Sequence, residues 1–162
     1  MPTPKFKVII VDDDDIQLLY CKEVLSSMGC DSISLSEGDY VAEAARSFNP
    51  DLILLDLQLP LNGKHDDNAG RKILNKLKSQ KDLKHIPVII VSSVNCLADQ
   101  LRFIISNHCE DFLVKPVKRE LLEKKIKQNC QIGWINKEYI RVNEEYRKLK
   151  KNKSLVERMI GG

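Results

Sequence analysis

Asp51-Leu52-Ile53-Leu54-Leu55-Asp56-Leu57-Gln58-Leu59-Pro60 is the stretch that decides how this chain folds. Four apolar residues in succession, with no polar alternation, suit a strand buried on both faces, and such strands belong to parallel sheets covered by helices. The run stops at a carboxylate, Asp56. Two further runs share its form: Val8-Ile9-Ile10-Val11, ending in Asp12-Asp13-Asp14-Asp15, and Val88-Ile89-Ile90-Val91, ending in Ser92-Ser93. A shorter one, Phe112-Leu113-Val114, ends in Lys115-Pro116. In an open parallel α/β sheet the ligand site lies beyond the carboxyl ends of the strands. Four such ends supply carboxylates, a hydroxyl and an ammonium, the groups needed to move a phosphoryl group onto a carboxylate with help from a divalent cation.

The segments between the runs read as helices, so strand and helix alternate along a doubly wound α/β domain. A strand over residues 7–11 is followed by a helix capped by Asp14 or Asp15, with Leu18, Cys21, Val24, Leu25 and Met28 on one face and Gly29 at its end. Residues 32–35 form a short, more polar strand of the kind found at a sheet edge. A second helix carries Val41, Ala44, Ala45 and Phe48 and stops at Asn49-Pro50. After the third strand, residues 52–56, a long polar loop runs through Gly70. A third helix with Ile73, Leu74 and Leu77 facing inward, a strand over 87–92, a helix over 97–107, a strand over 111–114 and a helix from Lys118 onward complete the pattern.

The chain has 162 residues, suited to one ordinary domain. Hydrophobic residues make up 43%, enough for a core, and charged residues 30%, enough for a solvated surface. No apolar stretch approaches the ~20 residues that span a bilayer, and the start lacks a secretory leader, so a cytoplasmic location is expected. Five cysteines, Cys21, Cys30, Cys96, Cys109 and Cys130, have neither zinc nor disulfide-framework spacing and are expected as free thiols. Net charge is +3, with eight Lys/Arg against four Glu in residues 134–162, so the tail is +4 and the remainder −1. The basic tail suits an acidic partner or nucleic acid, or is a solvated helix face.

Two carboxylates about 4 Å apart repel by ~4 kcal/mol at an effective dielectric near 20. A cluster of Asp12, Asp13 and Asp56 therefore holds a proton or binds a cation. Hard oxygen ligands suit Mg²⁺, and a carboxylate is a competent nucleophile that gives an aspartyl phosphate. Lys115 and a serine hydroxyl would stabilise the charge that develops on the transferred group.

Taken in order, Val11-Asp12-Asp13, the 51–60 segment, Pro87-Val88-Ile89-Ile90-Val91-Ser92-Ser93 and Asp111-Phe112-Leu113-Val114-Lys115-Pro116 resemble the receiver domain of two-component response regulators over about residues 5–131. The resemblance implies a flavodoxin-like five-stranded parallel sheet of order 2-1-3-4-5, with residues 132–162 as a C-terminal helical extension. It implies Asp56 as phosphoacceptor, and Mg²⁺ held by Asp13 and Asp56, by Asp12 through water, and by the backbone carbonyl of Gln58. Ser92 would bind a phosphoryl oxygen, Lys115 would pair with it, and the Lys115–Pro116 bond would be cis. Phe112 stands at the position of the aromatic that turns inward as Ser92 moves; the plainer reading makes it a core residue. The implied partners are a histidine kinase or histidine phosphotransfer protein and a downstream protein. A homodimer would form through the C-terminal helix or through the face of the fourth helix, fifth strand and fifth helix. No nucleic-acid motif is visible. The chain would catalyse only its own phosphorylation and dephosphorylation.

The chain departs from the family in two places. Pro60 and Gly70 stand ten apart where the family has Pro-x-x-x-Gly, and the intervening residues 61–69 read as a mobile surface loop whose His65, Asp66 and Asp67 are not expected to bind metal. Beyond Cys130, residues Ile135, Tyr139, Val142, Tyr146, Leu149, Val156 and Ile160 follow 3/4 spacing with Lys153 in the gap. The tail either pairs with its twin or folds back to bury Trp134 and Tyr139, and Gly133 either ends the fifth helix or weakens it. Gln58 and Val94 are expected to set the phosphoryl lifetime, while His85 and His108 read as surface or loop residues.

A rival assignment is a haloacid-dehalogenase-type phosphatase with Asp12 as nucleophile and Asp14 as its partner acid. It leaves Asp56 and Lys115-Pro116 unexplained. A flavodoxin-like binding module without signalling is a third, against which the intact acidic set speaks.

Overall fold

The computed structural model describes residues 4–93, 97–107 and 109–161. The strands are β1 (Lys7–Val11), β2 (Asp31–Leu35), β3 (Leu52–Leu55), β4 (Leu59–Leu61), β5 (Lys64–Asp66), β6 (Val88–Ser92) and β7 (Asp111–Val114). The helices are α1 (Asp15–Ser27), α2 (Val41–Phe48), α3 (Ala69–Ser79), α4 (Leu97–Asn107) and α5 (Arg119–Ile160). Five strands form one parallel sheet in the order β2-β1-β3-β6-β7, which is the expected 2-1-3-4-5 once the separate hairpin β4-β5 is set aside.

The unbroken apolar runs are explained by helices on both faces. Along β1, Ile9 and Val11 join the core shared with α2 and α3, while Val8 and Ile10 join the core shared with α1 and α5. In β3, Ile53 and Leu55 take the first side and Leu52 and Leu54 the second. Period-2 alternation persists, but both sides are dry. β2 pairs only with β1, is half-buried throughout, and has the more polar sequence an edge requires.

Residues 61–69 do not form the expected loop. β4 and β5 pair antiparallel around Asn62-Gly63, whose φ angles of 53° and 73° are those of a type I′ turn. The hairpin is tied down on two sides. Pro60 O accepts from Gly38 N at 2.9 Å, Asp39 Oδ1 accepts from Asn62 N at 2.9 Å, and Lys72 Nζ meets Asp66 Oδ2 at 2.5 Å. The added residues thus pack as a hairpin against the entry to α2 and against α3, with Leu59 and Leu61 on the core, and Gly70 keeps its place against the β3 end.

Helix α5 runs for 42 residues through Gly133 without a break. Gly133 is neither a stop nor merely a weak point. A Cβ there would sit 1.9 Å from the Asp51 carbonyl oxygen, so the glycine permits contact between helix and strand entry. Around it, Lys137 Nζ donates to Asp51 Oδ1 at 2.7 Å and to Asn49 O at 2.6 Å, and Asn136 Nδ2 donates to His85 O at 2.9 Å. His85 lies in the turn before β6, a loop residue as expected, yet it is half-buried under α5, with no hydrogen-bond partner for its Nδ1 among the described residues. Trp134 and Tyr139 remain 43% and 70% exposed, so the tail does not fold back over them. No helix is long and apolar enough to cross a membrane among the described residues. His108, Val94 and Cys96 lie outside the described residues.

Candidate functional site

Register assembles the site. Val11 pairs with Leu55, so Asp12 and Asp56 leave neighbouring strands side by side. Ser92 pairs with Val114, so Lys115 emerges next to the end of β6, where its N–H donates to Ser92 O at 2.9 Å. The Lys115–Pro116 bond is cis, as expected.

Carboxylate oxygens of Asp12, Asp13 and Asp56 lie within 4.8 Å of one another. Asp12 and Asp56 are buried and Asp13 is exposed. Lys115 Nζ donates to Asp12 Oδ2 at 2.6 Å and to Asp56 Oδ2 at 2.9 Å. One ammonium stands against three carboxyl groups, which leaves an excess of negative charge suited to a hard dication. The donor set is all oxygen, as Mg²⁺ prefers. Asp56 Oδ1 accepts from its neighbour Leu57 N at 2.6 Å, and Gln58 N lies at 3.4 Å.

Ser92 is fully buried, and its Oγ has no hydrogen-bond partner among the described residues. An unpartnered hydroxyl at a strand end is costly unless a ligand completes it. Phe112 packs into the core edge-on to Phe103, ring centroids 5.8 Å apart at 71°. It therefore occupies the inward position, which meets the plain core reading.

Burial, the largest influence on Asp12, raises its carboxyl pKa; hydrogen bonds from Lys115 and from Asp14 N pull the other way without cancelling it. On Lys115, burial acts to lower the pKa, yet the bonds to Asp12 and Asp56 together raise it. Both shifts describe a crowded anionic pocket held by one cation. Because Asp12 holds its proton more tightly folded than unfolded, its contribution to stability falls as pH rises from the ordinary Asp value of 3.8 through the raised one. Asp12→Asn is therefore expected to raise the melting temperature by a few degrees at neutral pH with EDTA present, and to do so less near pH 4. A melt lowered at neutral pH would contradict this.

The other expected residues fall where the sequence put them or are differently occupied. Asp14 caps α1, accepting from Ile16 N at 2.9 Å and Gln17 N at 3.4 Å, and Asp15 opens its first turn. This corrects the phosphatase assignment, since the acid it needs beside Asp12 is committed to the helix start. Asp66 and Asp67 are bound by Lys72 and by Gln58 with His65. Burial pushes the Cys21 thiol up to about 11 and Cys109 to about 12, so neither is a reactive thiolate.

Gly70 and Asp51 secure the two ends of β3 in ways that their sequence positions do not announce. Gly70 lies against the Asp56 backbone: a Cβ there would be 2.3 Å from Asp56 O. Asp51, only 4% exposed, accepts from Lys7 N at 2.8 Å as well as from Lys137. Its place one residue before a buried strand is the only signal it offers.

A family model described as the response regulator receiver domain matches residues 8–127. The polar-differentiation response regulator DivK of Brucella ovis is 32% identical over 110 residues, covering 68% of this chain and 84% of the relative. Among solved structures, a CheY-like response regulator receiver domain protein from Methanospirillum hungatei is similar with a TM-score of 0.67 at 22% identity, covering 80% of this chain and 97% of that one. The receiver domain of a sensor histidine kinase from Pseudomonas aeruginosa, solved with a magnesium ion coordinated in its active site cleft, has a TM-score of 0.63 at 21% identity, with 79% and 99% covered.

Proposed function

The chain belongs to the response regulator receiver domain family, and from that premise we propose that Asp56 accepts a phosphoryl group from a histidine kinase or histidine phosphotransfer protein and that this alters partner binding. The observation that carries the reading is the joint hold of Lys115 on Asp12 and Asp56 inside the three-carboxylate cluster. A carboxylate oxygen of Asp56 attacks phosphorus, the P–O bond forms as the P–N bond of the phosphohistidine breaks, and the imidazole leaves with the electron pair and takes a proton from solvent. Lys115, freed from part of its hold on the carboxylates, pairs with a phosphoryl oxygen, and the Ser92 hydroxyl donates to another.

Asp12, Asp13, Asp56 and the carbonyl of Gln58 would hold Mg²⁺, which when bound supplies charge neutralisation at the transferring group. The coordinated magnesium in the Pseudomonas receiver domain supports this assignment by analogy. Phe112 would respond as Ser92 moves, shifting the population of two surface states. Gln58, with its side chain turned to Asp67 at 3.2 Å, and Val94 would set the phosphoryl lifetime. The cell compartment is taken as cytoplasm, where phosphotransfer partners reside. Residues 5–131 form the receiver unit and 132–162 its extension, although one helix runs through the boundary. Self-association is the remaining partner assignment.

Mg²⁺ is expected to raise the melting temperature because it binds only the folded cluster, adding about 1.4 kcal/mol at tenfold its Kd. Asp13→Asn, on an exposed ligand, should remove most of that rise while leaving the metal-free melt nearly unchanged. Equal rises in both proteins would remove Asp13 from the site. Acetyl phosphate with Mg²⁺ tests the function itself: phosphoryl uptake should be metal-dependent, and uptake indifferent to EDTA would count against the reading.

A further inference from the structure

We infer that helix α5 is one half of a parallel, in-register, two-stranded coiled coil, with a second copy of this chain as its partner. From Ile132 to Ile160 the helix carries four heptads. Ile132, Tyr139, Tyr146, Lys153 and Ile160 fall at a; Ile135, Val142, Leu149 and Val156 fall at d. The eight apolar members are 46–79% exposed, and no residue from Glu138 to Ile160 is buried. A bare helix of this length is marginal in water even with good formers, and its three ion pairs, Arg141 with Glu138 and Glu145, and Lys153 with Glu157, add only tenths of a kcal/mol each. The stripe needs a cover.

Three observations select a second copy. The first is area: hiding eight apolar seam side chains on each of two helices removes on the order of 1,000–1,500 Å² from water, the size of a stable interface. The second is charge. In a parallel pair, Glu145 at g faces Lys150 at e of the second copy, twice by symmetry. In the antiparallel arrangement that sets a against d, Glu145 meets Asn152 and Asn143 meets Lys150, and no opposite charges meet. The third is direction. Helix α5 leaves the domain beside Asp51, at the amino end of β3, opposite the strand ends that carry Asp56. A parallel rod about 43 Å long thus sets two receivers side by side with both phosphoacceptors facing away from it. Lys153 is the single polar seam residue, a device that fixes register at a cost in stability; Glu157 of its own helix, 4.0 Å away, offsets part of that cost.

The association does not rest on phosphotransfer, and Asp56→Asn should leave it intact. Sedimentation velocity on the full chain at 1–100 μM is expected to show a dimer. Leu149→Glu should raise the dissociation constant at least 100-fold with the domain melt and phosphoryl uptake unchanged. Lys153→Ile should lower it at least tenfold, and Arg147→Glu, outside the seam, should move it less than threefold. Under oxidation Val142→Cys should cross-link to itself far above the unmodified chain. A monomer at all concentrations, a dimer that survives Leu149→Glu, a Lys153→Ile chain that dimerises no more tightly, or cysteines that cross-link only between positions 142 and 153 would overturn the proposal.

Discussion

Asp56→Asn is expected to reduce phosphoryl uptake from acetyl phosphate or a phosphohistidine donor to background, a loss of at least ~10⁴-fold, or about 5.5 kcal/mol of transition-state stabilisation. Asparagine keeps the size of the side chain and can still accept from Leu57 N through its amide oxygen, while an amide nitrogen replaces the oxygen that accepts from Lys115 Nζ and the nucleophilic charge is lost. Loss of uptake with an unaltered fold therefore isolates the chemistry. Neighbouring substitutions should be graded. Asp12→Asn leaves the nucleophile in place and should slow uptake far less. Lys115→Met removes the cation that holds Asp12 and Asp56, and with it stabilisation of the transferring group, a cost of roughly 10²–10³-fold. A radiolabel time course with the three variants side by side reads all of this. Uptake lost in Asp12→Asn while Asp56→Asn is still labelled would reverse the assignment.

Gly133→Ala is expected to lower stability by about 2–3 kcal/mol, although the substitution adds helix propensity. Propensity alone predicts the opposite sign, a gain of up to about 1 kcal/mol for alanine over glycine inside a helix. The difference lies in space. The new Cβ would fall 1.9 Å from Asp51 O and 2.8 Å from its carbonyl carbon, and both are backbone atoms that no rotamer change can move aside. Helix α5 has to shift away from the start of β3. That strains the Lys137–Asp51 pair, which is half of the hydrogen bonding that satisfies a buried carboxylate. Urea denaturation gives the answer directly, and a variant more stable than the parent would show that the helix does not press on Asp51 as described.

The sheet was readable because its strands are buried on both faces, which writes four unmistakable apolar runs into the chain. Their carboxyl ends alone bring Asp56, Asp12, Ser92 and Lys115 to one edge of the sheet. Two features were misread. Asn62-Gly63 is a strong hairpin signal, yet it sits between strands of three residues each, where propensity is swamped by the polar composition of His65, Asp66 and Asp67. Gly133 resembles a helix end, because a sequence does not record that Asp51, eighty-two positions earlier, will lie against that turn. Residues whose work is to make room leave only an absence of side chain. Residues whose work is chemical leave charge where a strand stops, and the latter is far easier to read.

Peptide mapping after phosphorylation tests the central claim most directly. The chain is incubated with acetyl phosphate and Mg²⁺, reduced with borohydride to trap any acyl phosphate, digested, and the modified residue located by mass spectrometry. The account predicts a single modified position, Asp56, dependent on Mg²⁺. Modification at Asp12, or at several carboxylates without preference, would contradict it.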